Sequence, residues 1–210
     1  MSKPRIALLA LIGAASIIAI AAGMGILWRY SLTPGTAGTP PAFWPAQSRL
    51  ARKLGALTLV MVVHPHCPCT RASIAELEIL MAHARGQLDA WVIFLKPRGF
   101  NDSWTKTSLW ISAAAIPGVS AVVDDGAEAR LFGAATSGQT MIYDRNGRLL
   151  FSGGITAARG HFGDNAGASA IAALLEQAAP RAGGKTAVYG CALFAPRSSP
   201  AKRGTNLCLK

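Results

Sequence analysis

Leu57-Thr58-Leu59-Val60-Met61-Val62-Val63-His64-Pro65-His66-Cys67-Pro68-Cys69-Thr70-Arg71 is the stretch on which the reading of this 210-residue chain turns. Its first seven residues form a near-continuous apolar run, the pattern of a central strand covered on both faces. Two histidines and two cysteines one residue apart follow at once. From Ser73 to Ala84 the pattern becomes that of an amphipathic helix, with Ile74, Leu77, Leu80 and Met81 on one face and Glu76 off it. The cysteines therefore precede a helix N-terminus, whose free N–H groups and partial positive charge favour a thiolate.

Downstream, Trp91–Leu95 reads as a second strand and Trp104–Ile116 as a helix ending near Pro117-Gly118. Val119–Val123 reads as a short extended piece ended by Asp124-Asp125-Gly126, and Ala127–Phe132 as a helical turn. Thr140–Asp144 and Leu149–Gly153 flank Arg145-Asn146-Gly147-Arg148, and Asn-Gly between apolar runs is a strong hairpin signal. Tyr143 and Asp144 serve that hairpin, whereas Trp104 and Trp110 read as packing residues. Asp164 or Asn165 caps a last helix to about Gln177, striped by Ile171, Leu174 and Leu175. The order β-α-β-α-β-β-α predicts an α/β fold on a mixed sheet flanked by helices. No internal repeat is visible.

Upstream, no residue from Ile6 to Trp28 is charged. At about 1.5 Å per residue that run spans a hydrocarbon core of roughly 30 Å. Lys3 and Arg5 precede it and Arg29 follows, which puts the N-terminus in the cytoplasm and everything after Tyr30 outside. Ala19-Ile20-Ala21 has the form of a cleavage site, but a signal peptide's apolar region is usually about 7–15 residues, which favours an uncleaved anchor. The expectation is a single-pass protein of the inner (cytoplasmic) membrane with its domain in the periplasm or outside, where disulfides persist. The divisions expected are an anchor over 1–30, a Pro/Gly/Thr-rich linker over 31–48, a domain over 49–180 and a basic, Cys-containing tail over 181–210.

The formal net charge is +11, from 21 Lys+Arg against 10 Asp+Glu. Arg181, Lys185, Arg197, Lys202, Arg203 and Lys210 lie in the tail without an acid. Such a tail is solvated, or meets anionic lipid or an acidic protein. Export leaves no role for nucleic acid.

Arg71, His64 and His66 supply cationic or hydrogen-bonding groups beside the thiols. Cys67 is expected to be the more exposed, attacking thiol and Cys69 the resolving one. A disulfide across one spacer strains the preferred Cα separation and torsion, and a strained disulfide is more oxidising. The competing reading is a metal site: His64, His66, Cys67 and Cys69 suit Cu(I) or Zn, although four near-contiguous ligands strain the backbone. Cys191 and Cys208 read as a structural disulfide closing the tail. The alternative has Cys191 exchanging with Cys67.

With its cysteine motif at the first strand-to-helix junction, the region from Arg49 to Ala179 resembles the thioredoxin fold. His64–Cys69 (HPHCPC), Ser137–Asp144 (SGQTMIYD), Ser152–Thr156 (SGGIT) and Arg159–His161 (RGH) resemble the membrane-anchored, TlpA-like, RedB-type thiol–disulfide oxidoreductases. The resemblance implies disulfide exchange with the thiols or disulfides of client proteins and no required soluble cofactor. It makes Cys67 and Cys69 catalytic, with His66, Pro68, Thr70, Arg71 and Gln139 in support. Two departures stand out. The family motif is Cys-x-x-Cys: with Cys67 as nucleophile the resolving position is Thr70, and with Cys69 resolving the nucleophile position is His66. Gln139 matches the family's cis-proline, and a non-proline cis peptide costs about 2.5–4 kcal/mol, which puts client docking against that loop in question. Copper carriers of the same fold use two cysteines and a distant histidine, for which His161 stands. That makes a copper-binding metallochaperone the alternative, and a non-catalytic assembly factor docking through its tail the second.

Overall fold

The computed structural model describes residues 3–53, 55–176 and 184–194. Lys3–Ser31 forms α1, a helix long and apolar enough to cross a membrane, with no part of its apolar window buried against the rest of the chain. The chain then runs over the domain as a strap. Trp44 N–H donates to the Gly147 carbonyl (2.7 Å) and Thr39 N–H to that of Gly133 (2.9 Å). The Trp44 ring packs edge-on against Phe132 and Tyr143, while Phe43 stays exposed.

The domain begins with β1 (Leu57–Val63), α2 (Thr70–Ala84), β2 (Leu88–Leu95), α3 (Ser108–Ala115) and β3 (Val119–Asp124). It continues with α4 (Ala127–Leu131), β4 (Gln139–Tyr143), β5 (Leu149–Gly153), α5 (Ala166–Glu176) and β6 (Gly184–Lys185). The sheet order is β3-β2-β1-β4-β5-β6. β1, β2 and β3 are parallel, β4 runs antiparallel to β1 and to β5, and β6 is parallel to β5. This is a thioredoxin-like fold, a mixed sheet flanked by helices.

β1 is apolar throughout because both its faces are covered. Leu57, Leu59, Met61 and Val63 pack with the apolar sides of α2, α3 and α5. Val60 and Val62 face Phe132, Tyr143 and Leu50 on the other side. The site lies at the C-terminal end of this strand.

Several elements differ from the sequence reading. α2 starts at Thr70 rather than Ser73, which makes Cys69 its N-cap residue. The expected helix from Trp104 splits into a 3₁₀ turn at Asp102–Trp104 and α3, because Thr107 is extended (φ −80°, ψ 177°) between them. Val119–Asp124 is a full edge strand with six pairings to β2. Of the two cap candidates for α5, Asn165 accepts the Ala168 N–H at 2.8 Å, satisfying one orphan donor of the first turn. From Gly184 to Phe194 the tail packs onto the domain: β6 joins the sheet, and Val188 and Leu193 are buried.

Glu76 is buried on α2 although it lies off the apolar stripe. Its carboxylate accepts the Gly163 N–H and, at 3.2 Å, the Asn165 side-chain amide. Those bonds tie α2 to the loop ahead of α5. Glu76→Ala leaves the Gly163 N–H without its acceptor and the Asn165 amide with only the Gly163 carbonyl at 2.9 Å, and is expected to lower unfolding stability by about 1–3 kcal/mol. A urea midpoint equal to wild type would show that the carboxylate holds nothing.

Candidate functional site

At the end of β1 two tight turns set the cysteines. Cys67 N–H donates to the His64 carbonyl (3.1 Å), and Thr70 N–H to the Cys67 carbonyl (3.0 Å). Ser137, just ahead of β4, clamps this turn. Its Oγ accepts the His64 N–H at 2.8 Å and lies 2.9 Å from Thr70 Oγ1. Gly138 beside it has φ +87°, and a Cβ there would stand 2.7 Å from Ser73 Oγ. Glycine is what allows this segment to approach α2.

The same segment receives the C-terminal tail. Ser137 N–H donates to the Cys191 carbonyl (2.8 Å) and Leu193 N–H to the Ala135 carbonyl (2.9 Å). Thr136 and Ala192 form an antiparallel bridge. Cys191 is thereby brought against Cys67. Among the described residues Cys67, Cys69 and Cys191 are free thiols. Cys208 lies outside the described residues, and with it the expected Cys191–Cys208 pair.

The three thiols are not equivalent. Burial pushes Cys67 up, but hydrogen bonds from the Cys191 thiol, the Cys191 and Cys69 backbone N–H groups and the Thr70 side chain outweigh it, so Cys67 lies below an ordinary thiol. Cys69 is raised, by burial and then by the Cys67 charge, against the opposing Arg159. Cys191 is pushed up to about 12 by burial and by its hydrogen bond and charge interaction with Cys67. Of the three, Cys67 is the thiol most readily ionised, beside two that hold their protons more tightly. Cys67 is 1% exposed and Cys69 8%, the reverse of the expected order, because the tail closes over the Cys67 side.

Access to Cys67 is through a groove of about 330 Å³ that it lines with Pro65, His66, Pro68, Arg71 and the start of α3. Trp104 packs against the groove residue His66 and its neighbours, with ring centroids 4.7 Å from His66, 5.3 Å from His64 and 5.1 Å from Phe100. His66 Nε2 donates to the Trp104 carbonyl at 2.9 Å, and the His66 N–H donates to His64 Nδ1 at 3.2 Å. Burial, then the neighbouring His66, lowers the pKa of His64, so of the cationic or hydrogen-bonding role expected for it the hydrogen-bonding one, rather than a positive charge, is what it supplies at neutral pH.

Arg159 supplies that charge to the other two thiols. It opposes the upward shifts of Cys69 and Cys191, and its guanidinium donates to the Gly190 carbonyl at 2.6 Å. It also donates to the Thr33 carbonyl at 3.0 Å and lies over the Tyr30 ring, joining the end of α1 to the site. Arg159 stood in the RGH stretch and Ser137 in SGQT, but neither carried a spacing that marked it.

Gln139 does not face the thiols. It is buried, with Oε1 accepting the Ala135 N–H at 3.1 Å, and among the described residues no peptide bond is cis. Nor do the expected metal ligands assemble: His161 is exposed and bonds through Nδ1 to the Arg159 carbonyl at 2.9 Å. Among the described residues no group of three or more His, Cys, Asp or Glu is arranged to hold a metal ion, so the residues do not fit the copper site that His64, His66, Cys67, Cys69 and His161 suggested.

No protein-family model matches this chain, and no curated protein matches it. Among solved structures, an uncharacterized conserved protein from Geobacillus kaustophilus superposes with a TM-score of 0.55 at 17% identity, covering 80% of this chain and 95% of its own. A hypothetical protein from Sinorhizobium meliloti 1021 gives 0.54 at 20% identity, covering 80% and 97%. The pneumococcal exposed lipoprotein thioredoxin from Streptococcus pneumoniae gives 0.42 at 15% identity, covering 58% and 84%. The first two likenesses are of fold.

Proposed function

We propose that this chain is a membrane-anchored thiol–disulfide oxidoreductase of the TlpA-like, RedB-type kind, working through Cys67. The observation that carries the reading is the place of Cys67, held in the tight turn ahead of α2 and lining an open groove, with Cys191, Cys69 and Thr70 within hydrogen-bonding reach to favour its anion. Hydrogen bonds to the anion lower a thiol pKa, and the thiolate is the species that exchanges. In the reducing direction, Cys67 Sγ attacks one sulfur of a client disulfide. The Cys67–client S–S bond forms as the client S–S bond breaks, and the departing client thiolate takes a proton from water. A second protein thiol then displaces the client from Cys67, leaving the client reduced by two electrons and the protein holding one disulfide. The oxidising direction is the reverse. The exposed Phe100 and Ile111 beside this side of the domain supply apolar surface for an extended client segment.

α1 supports the anchoring, and Lys3 and Arg5 ahead of it support a cytoplasmic N-terminus with the domain on the periplasmic side. The tie from Arg159 to Tyr30 and Thr33 holds the thiols near the end of that helix, which suits clients presented at the membrane surface. No comparable feature favours a copper carrier, and the basic residues from Arg197 onward, on which the assembly-factor reading relies, lie outside the described residues.

The test is alkylation of the full chain in detergent by iodoacetamide across pH, read at each cysteine by peptide mass spectrometry. The inflection for Cys67 is expected below that of an ordinary thiol, and those for Cys69 and Cys191 above it. Because the depressed group is anionic above its own pKa, Cys67 reactivity is retained as the pH falls to a point where the other two are protonated. A Cys67 inflection at or above the ordinary value overturns the reading.

A further inference from the structure

We infer that Cys191, rather than Cys69, is the thiol that resolves the mixed disulfide at Cys67, so that the working redox couple is Cys67–Cys191. The inference rests on the oxidoreductase reading and names the second half of its chemistry.

Cys69 is the sequence neighbour, but its place in the backbone is against it. It is the N-cap residue of α2 in a right-handed helical conformation (φ −66°, ψ −25°), two residues past Cys67 in the turn closed by the Thr70 N–H to Cys67 carbonyl bond of 3.0 Å. The Cys69 thiol reaches the Cys67 sulfur as a hydrogen-bond donor, but a covalent bond sets a stricter geometry. A bond across the single Pro68 would have to distort that turn and move away from preferred disulfide geometry. Cys191 has neither handicap. It comes from a separate segment seated on the cysteine turn by Ser137, whose Oγ accepts the His64 N–H at 2.8 Å and whose N–H donates to the Cys191 carbonyl, so that the Cys191 thiol and backbone N–H lie within hydrogen-bonding reach of Cys67. Its own backbone is held on both sides, by the Ser137 N–H to Cys191 carbonyl bond (2.8 Å), the Leu193 N–H to Ala135 carbonyl bond (2.9 Å) and the Arg159 guanidinium on the Gly190 carbonyl (2.6 Å).

The electrostatics set the order of events. In the resting site burial, then the hydrogen bond and charge of Cys67, hold the proton on Cys191. Once Cys67 is capped by a client sulfur the Cys67 contribution is gone while burial stays, and Arg159 favours the Cys191 anion. Cys191 then loses its proton to water and attacks Cys67 Sγ. The Cys67–Cys191 bond forms, the Cys67–client bond breaks, and the second client sulfur leaves as a thiolate. Cys191 is thus a poor nucleophile until a mixed disulfide exists, which keeps the resting pair reduced and ready.

The full chain in detergent is incubated with glutathione disulfide, its free thiols are trapped with N-ethylmaleimide, and linked peptides are mapped by mass spectrometry. Backbone fragmentation ahead of Pro68 separates Cys67 from Cys69. Wild type is expected to give a Cys67–Cys191 link, and Cys191→Ser to accumulate Cys67–glutathione and clear it at least tenfold more slowly. A Cys67–Cys69 link in wild type overturns the inference and leaves the oxidoreductase reading standing, as does a Cys191–Cys208 link with Cys67 still cycling. No glutathione on Cys67 in either protein overturns both. The wild-type map needs no variant to fold.

Discussion

Cys67→Ser is expected to lower the rate at which the full chain reduces a disulfide-linked peptide by roughly a thousandfold or more, the scale on which an enzyme without its nucleophile retains only residual catalysis. The four donors that surround Cys67 stabilise a sulfur anion; a serine hydroxyl in the same place stays protonated at neutral pH and donates into the cluster instead of accepting from it. Neither neighbour can substitute. Burial, the first cause of the raised Cys69 and Cys191, persists in the variant, and neither residue lines the groove through which a client reaches position 67. Cys67 is buried to within 1%, so the variant's unfolding midpoint must be measured beside its rate. An unchanged midpoint with the rate lost assigns the effect to chemistry. A variant that keeps the rate within tenfold would mean that exchange does not start at Cys67.

How much of this was visible in the sequence depends on the distance over which each feature is determined. The seven residues of β1 announce a strand covered on both faces, and both faces are covered. Asn146-Gly147 announces the β4–β5 hairpin, with Gly147 at φ +80° as that turn requires. These are local rules acting on adjacent residues. The start of α2 was placed three residues late because Thr70-Arg71-Ala72 carries no apolar stripe, although the chain already follows helical hydrogen bonding there, and that shift is what turns Cys69 into a cap.

The site was half visible for the same reason. Cys67 stood out because His, Pro and a second Cys lie beside it in sequence. Ser137, Arg159 and Cys191 meet it only through the sheet and the returning tail, and a contact between separate segments leaves no periodicity to read. Cys191 was noticed as a cysteine, but the tail was read as lacking a core, since Val188 and Leu193 are too sparse to form a stripe. Glu76 was counted as an off-face polar residue; its burial depends on the loop at Gly163 and Asn165, which folds over it from far along the chain.

Gly190 is where the tail's contribution can be separated from the thiols themselves. A Cβ at this position would collide with the carbonyl oxygen of Ser137 and stand 3.3 Å from Thr136 Cγ2. The oxygen belongs to backbone already committed to β4 and to the clamp on His64, so the tail rather than Ser137 must move. Gly190→Ala is therefore expected to lift residues 190–193, costing on the order of 1–3 kcal/mol as overpacked sites do. It removes no thiol. Lifting the segment takes the Cys191 thiol and N–H away from Cys67, two of the groups that lower it, and at the same time uncovers the sulfur, whose burial raises it. The alkylation inflection of Cys67 is expected to shift, its alkylation to become faster, and the yield of the Cys67–Cys191 link to fall at least tenfold in the same protein. A tail that merely braced the fold would lower the unfolding midpoint and leave the Cys67 inflection where it was, because Thr70 and the Cys69 N–H would still set it. The inflection, not the midpoint, therefore decides whether the tail belongs to the redox site.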